Sequence, residues 1–167
     1  MNRNFYADRP NQKWVTDISY IPTKQGTLYL SVIRDLFDLS IVAYKTSIRQ
    51  SIKLVLDTVR LAMEKEEVTT ELQLHSDQGF QYASQSYFAL TTQYGITPSM
   101  SRRANPYDNA MAENFFSILK SECIRLYKPE TLHDAQTLID EYITFYNHER
   151  IQLNSKLSPI EKRRFFA

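Results

Sequence analysis

Hydrophobic and polar positions change period several times along this chain. Over WVTDISYIP (14–22) they alternate, with Trp14, Thr16, Ile18 and Tyr20 on one face and Val15, Asp17, Ser19 and Ile21 on the other. That period of two is the signature of a half-buried strand. GTLYLSVIRDLF (26–37) and LSIVAYKTS (39–47) are rich in β-branched and aromatic residues and read as two further strands. Gln25-Gly26 marks the hairpin turn before the second of them. From 51 to 67 the period becomes helical, with Ile52, Val55, Leu56, Val59, Leu61, Ala62 and Met63 on repeat.

ELQLHSDQG (71–79) is a short apolar run ending in a polar turn, SQSYFALTTQYG (84–95) a helix stopped by Gly95, and ITPSMS (96–101) a strand. After the loop SRRANPYDNA (101–110), a long helix is expected from about Asp108 to Tyr127, ended by Pro129. Another spans Thr131 to His148, and Ser158 with Pro159 opens a short terminal helix. Residues 1–12 carry little periodicity and read as a linker, leaving 13–167 as one core domain. Three consecutive strands followed by alternating helices and strands predict an α/β fold, a mixed five-stranded sheet flanked by helices.

Composition narrows the chemistry more than the fold. The 167 residues suit a single domain. Three glycines exclude a glycine-rich phosphate loop, and the single cysteine, Cys123, excludes an internal disulfide or a cysteine-built zinc site. His75, His133 and His148 lie far apart and form no metal-ligand spacing. No apolar run approaches the roughly 18 residues of a membrane helix, and residues 1–10 lack a signal-peptide core, so a cytoplasmic, reducing location is expected. A net charge of +1, from 20 basic and 19 acidic residues, neither supports nor excludes a nucleic-acid substrate.

Three carboxylates stand out by position. Asp17 lies mid-strand among apolar residues, where a charge is costly without a partner or a metal. Asp77 follows the LQLH run, at a strand end of the kind that presents ligand-binding groups. Glu113 sits near the start of the long helix. Their spacing alone is weak evidence, because chance supplies roughly two acid pairs at the Asp77–Glu113 separation. Brought together, they make an all-oxygen site suited to Mg²⁺ or Mn²⁺. The bland alternative is a hydrogen-bonded Asp17, a turn-forming Asp77 and a solvated Glu113.

The segments around these acids decide more. NQKWVTDISYI, LHSDQGFQY, SMSRRANPYDNAMAENFFSILKSE and FYNHERIQLNSKLSPIE, spread over 11–161, resemble the integrase-core transposases of bacterial insertion sequences, the insertion sequence 3 group. The resemblance implies a ribonuclease H-like fold. It also implies that Asp17, Asp77 and Glu113 are the catalytic acids and metal ligands, with the characteristic 35 residues between the last two. It further implies metal-dependent cleavage and strand transfer on DNA, with two Mg²⁺ or Mn²⁺ ions in the active complex. Partners implied are DNA at element ends and target, and further copies of the chain, because two ends must be joined. Full-length relatives carry an N-terminal helix-turn-helix region, which these residues do not contain. Ala104 and Gln152 stand where the family often has Gly and His.

Other residues carry two readings each. Lys120 lies two helical turns beyond Glu113 on the same face, placed to hold a DNA phosphate or, more simply, to pair with Glu113 or Glu122. Asn109, one turn before Glu113, caps the helix or touches DNA. Arg102 and Arg103, in the loop entering that helix, contact phosphate or are solvated. His75 lines the pocket or is a satisfied histidine at the edge of the core. Tyr146 and Arg150 share a helix face, explained by packing and a structural ion pair, and Lys162, Arg163 and Arg164 read as a solvated basic run. Two rival functions remain: a nuclease of the same fold that hydrolyses without joining, and a non-catalytic remnant that only binds DNA or a partner.

Overall fold

The computed structural model describes residues 5–69, 71–101 and 109–166. Five strands form one sheet in the order β3-β2-β1-β4-β5. β1 (Lys13–Thr23), β2 (Gly26–Asp35) and β3 (Ile41–Ser47) are an antiparallel meander. β4 (Leu72–Ser76) and β5 (Ile96–Met100) extend the other edge in parallel. This is the mixed five-stranded sheet that the strand order predicts. The β1–β2 turn closes on the Thr23–Gly26 pair, with Gly26 at φ +132, a backbone angle only glycine adopts cheaply.

Two boundaries differ from the sequence reading. β2 ends at Asp35 and β3 begins at Ile41, because the carboxylates between them take over the backbone. Asp35 Oδ1 accepts the Phe37 amide at 2.8 Å and Asp38 Oδ1 the Ser40 amide at 2.9 Å, while Leu39 turns left-handed at φ 65. Strand propensity alone does not register such side-chain turns.

Helices cover both faces. α1 (Ile52–Lys65) and α2 (Gln85–Gln93) lie on one, each started by a serine, Ser51 and Ser84, accepting an amide of the first turn. They bury Trp14, Ile33, Val55, Val59, Leu74 and Tyr87 in one cluster. On the other face α3 (Ala110–Leu119) continues through a π turn, Lys120–Ile124, into α4 (Arg125–Tyr127). Lys128, left-handed at φ 46, ends this helix before Pro129. α5 (Leu132–His148) packs beside it, capped by Thr131. Ile21, Leu30, Val32, Phe115, Leu119, Ile139 and Tyr146 fill that second cluster. α6 (Pro159–Phe166) starts after Ser158, whose hydroxyl accepts the Glu161 amide and donates to the Glu161 carboxylate.

β1 pairs with β4 only along Lys13, Trp14 and Val15. Beyond Val15 the two strands part, and the β4-side edge of β1 opens. The candidate site lies at that parting.

Candidate active site

Asp17 sits two residues past the last β1–β4 pair, opposite Val32 of β2 and on the face covered by α3. Its Oδ1 accepts the Ile18 amide at 2.8 Å and its Oδ2 the side-chain amide of Asn109 at 3.1 Å. The carboxyl is nevertheless pushed up to about 6, chiefly by burial and further by the charges of Asp77 and Glu113. The two hydrogen bonds oppose this without cancelling it. Of the three acids expected from sequence, Asp17 thus lies within electrostatic reach of the other two.

Asp77 follows the C-terminal end of β4, where the parallel strands deliver it beside Asp17. Its Oδ1 accepts the Gly79 amide at 2.7 Å. A Cβ on Gly79 would stand 2.9 Å from that same oxygen, so the SDQG turn holds its carboxylate only with glycine there. Tyr82 is fully buried behind the pair, and its hydroxyl is raised well above its ordinary value by burial and by the charges of Asp17 and Asp77. Glu113 lies exposed in the first turn of α3, an end that favours a negative charge.

All donors here are carboxylate oxygens, and no ion pair reaches any of the three among the described residues. That donor set, two half-buried carboxylates and an exposed one, short of positive charge, fits a hard divalent cation. Among the described residues, no three His, Cys, Asp or Glu side chains are gathered closely enough to hold an ion as they stand.

Arg34 is the residue that sequence reasoning missed. Fully buried in β2, it donates to Met111 O at 2.7 Å, Asn114 Oδ1 at 3.1 Å, Tyr146 Oη at 2.7 Å and Leu39 O at 3.3 Å. It thereby ties the first turn of α3, and Glu113 with it, to the sheet and to α5. The available signal was a lone arginine inside the otherwise buried run LYLSVIRDLF. Gly79 was the other omission, marked by a glycine two residues after Asp77.

Several expectations need correction or placement. Asn109 stands at the start of α3 but makes no capping hydrogen bond; its side-chain NH₂ donates to Asp17, and its Oδ1 is buried without a partner among the described residues. A cap would use Oδ1 to accept a first-turn amide; here the side chain is instead oriented so that Nδ2 donates to a carboxylate, a charge-assisted hydrogen bond. Lys120 pairs with neither Glu113 nor Glu122: its ammonium stands 5.1 Å from the centre of the Tyr20 ring. His75 is buried, with its ring nitrogens 3.0 Å from Ser99 Oγ and Ser101 Oγ and Phe5 packed edge-on, the arrangement of a satisfied core histidine. Arg102, Arg103 and Ala104 lie outside the described residues. The Gln152 backbone N–H donates to Leu157 O at 2.9 Å within the loop after α5.

The tail motif is structural. Tyr146 donates to Leu39 O at 2.7 Å, Asn147 accepts from and donates to the Ile41 backbone, and Arg150 grips Glu122 with contacts of 2.6 to 3.1 Å. The solvated run at 162–164 is overturned at its centre. Arg163 is mostly buried and binds Asp35 at 3.1 Å, Asp38 at 2.6 Å, Glu66 and Asn11. Sequence reasoning could not see these acids converge, because they come from distant segments.

Comparison with known proteins fits this geometry. A family model described as integrase core domain matches residues 7–106, and a second of the same description matches 113–164. A putative transposase of insertion sequence element IS150 from Escherichia coli is 40% identical over 98% of this chain and 58% of its own length. The transposase of insertion sequence element IS904 from Lactococcus lactis is 45% identical over 90% of this chain and 60% of its own. The chain thus spans about three fifths of the length of these relatives. The HTLV-2 integrase catalytic core domain, solved in complex with magnesium, superposes with a TM-score of 0.76 at 16% identity, covering 95% of this chain and 99% of that one. The sheet and its helices therefore have the ribonuclease H-like fold of retroviral integrase cores. On this evidence the chain belongs to the integrase core family, in the group of the insertion sequence 3 transposases.

Proposed function

We propose that this chain is the catalytic core of a DNA transposase, a metal-dependent polynucleotidyl transferase. It cleaves DNA at insertion-sequence ends and joins the freed 3′-hydroxyl to a second phosphodiester. Asp17, Asp77 and Glu113 are the residues that would hold divalent ions, two Mg²⁺ or Mn²⁺ in the active complex. Such ions, when bound, stabilise charge on the attacking and leaving oxygens of an in-line displacement.

The chain's own groups prepare that chemistry. Asn109 and the Ile18 amide fix the Asp17 carboxylate, and the Gly79 amide fixes Asp77. Arg34 anchors the turn that carries Glu113. The buried Tyr82 excludes water behind the acids. Lys120, together with Arg102 and Arg103, meets DNA phosphates. Sequence recognition of element ends belongs to the helix-turn-helix region of the full-length enzyme, which acts as a multimer. The chain alone binds DNA weakly and without sequence preference, losing affinity as salt rises.

One observation carries this reading: Asp17, accepting only two neutral amides, is pushed up chiefly by burial and further by Asp77 and Glu113, with no countercharge from the described residues. The test is a cleavage and strand-transfer assay in Mn²⁺ with Asp77→Asn. Both products should vanish in the variant. Retained activity would sink the assignment, and hydrolysis without a joined product in the wild type would convert the reading to a nuclease.

A further inference from the structure

A groove of about 620 Å³ opens beside the β1–β2 turn, at the far end of the two elements that carry Asp17 and Glu113. Lys24 lines it from the turn, and Arg125 and Lys128 line it from the end of the α3–α4 helix. Strand and helix leave the acids together and reach the groove together. Seven residues of strand place Lys24 about 23 Å beyond Asp17. Fifteen residues of helix place Lys128 about 22 Å beyond Glu113. Midway between them, Lys120 meets the exposed ring of Tyr20 on the open edge of β1.

The groove is held in shape by backbone contacts. The Lys24 amide donates to Glu130 O at 3.0 Å, and the Leu132 amide donates to Gln25 Oε1 at 2.9 Å, so the hairpin tip is fastened to the segment entering α5. Its charge is lopsided. Lys24, Arg125 and Lys128 line it with a single acid, Glu130, which pairs with Lys24 at 3.0 Å, and Lys120 stands outside it over Tyr20. A chain with a net charge of +1 has thus concentrated positive charge along one path leading away from its acids.

We infer that this path is a track for one DNA strand, whose phosphates run from the acids, past Tyr20 and Lys120, into the cationic groove at Lys24, Arg125 and Lys128. The inference rests on the DNA-cleaving reading above and adds the course of the DNA away from the scissile phosphate. At about 3.4 Å per nucleotide of duplex, the track accommodates about six nucleotides. Cations along it hold phosphates without reading sequence, and Tyr20 offers a flat face to sugar or base.

The test measures binding of the 167-residue chain to a fluorescent random-sequence duplex of about 20 base pairs across a salt series. Arg125→Ala combined with Lys128→Ala should lower the slope of log K against log salt by about two and weaken binding about ten-fold near 0.1 M salt. Lys45→Ala combined with Arg49→Ala, exposed positions at the β3 edge, should change neither. An unchanged slope in the first variant, at an unchanged melting temperature, overturns the track; so does an equal fall in both. A wild-type chain that binds no DNA and cuts none would instead remove the parent reading.

Discussion

Two sets of three carboxylates in this fold are treated in opposite ways. Asp35, Asp38 and Glu66 converge on Arg163, with Asn11 completing the cage. Burial and Asp38 hold Asp35 above its ordinary value, with Arg163 and the amides of Asn11 and Phe37 offsetting part of the rise. Burial also works against the charge of Arg163, yet Asp38, Asp35 and Glu66 outweigh it and keep the guanidinium protonated. Asp17, Asp77 and Glu113 have no such cation among the described residues, and Asp17 rises to about 6. A carboxylate cluster with a structural task receives its countercharge from the chain. On the proposed function, the group left without it takes its charge from outside.

The largest effect should come from removing the internal cation. Arg163→Ala leaves two fully buried aspartates uncompensated, and urea unfolding should register a loss of about 3–5 kcal/mol. Arg163→Lys should recover only part of it, because an ammonium cannot reproduce the guanidinium fork. A loss under about 1 kcal/mol would show that the two clusters do not differ as claimed.

Next comes the opposite sign at the other cluster. Asp17→Asn removes a charge that burial and its neighbours disfavour, and the metal-free variant should gain about 1–3 kcal/mol at neutral pH. Mn²⁺ should then raise the melting temperature of the wild type and leave that of the variant unmoved. A variant less stable than the wild type without metal would break the comparison.

The smallest effect belongs to an exposed ion pair. Arg150, and secondarily the Tyr142 hydroxyl, hold the Glu122 carboxyl below its ordinary 4.5. A depressed folded value means that the stabilisation is present above pH 4.5 and fades as pH falls through the lower folded value. Glu122 is partly solvated, so the contribution stays under about 1 kcal/mol. Comparing the acid limb of unfolding curves for the wild type and Glu122→Gln should show the difference only at neutral pH, converging at strongly acid pH.

Much of this was legible along the chain, and the rest was not for a physical reason. Period-two alternation placed Asp17 on the face that α3 covers, and Ser158-Pro159 announced α6. The turn at Gln25-Gly26 likewise appears where the residues require it. These features are set by neighbours within a few positions. The unread features depend on partners far away: Arg34 reaches Asn114 across 80 residues, and Arg163 reaches Asp38 across 125. Asn109 shows the same limit in miniature, since local rules assign it to its own helix and a carboxylate 92 positions earlier claims it. Among the acids, sequence supplied the candidates, and only the fold brings their charges together.

The most direct test of the central claim is anomalous diffraction from crystals of the chain soaked in Mn²⁺. The account predicts a manganese peak bounded by Asp17, Asp77 and Glu113, lost in Asp77→Asn, and none at the cluster that Arg163 already neutralises. Manganese bound elsewhere, with the three acids left without it at saturating concentration, would contradict it.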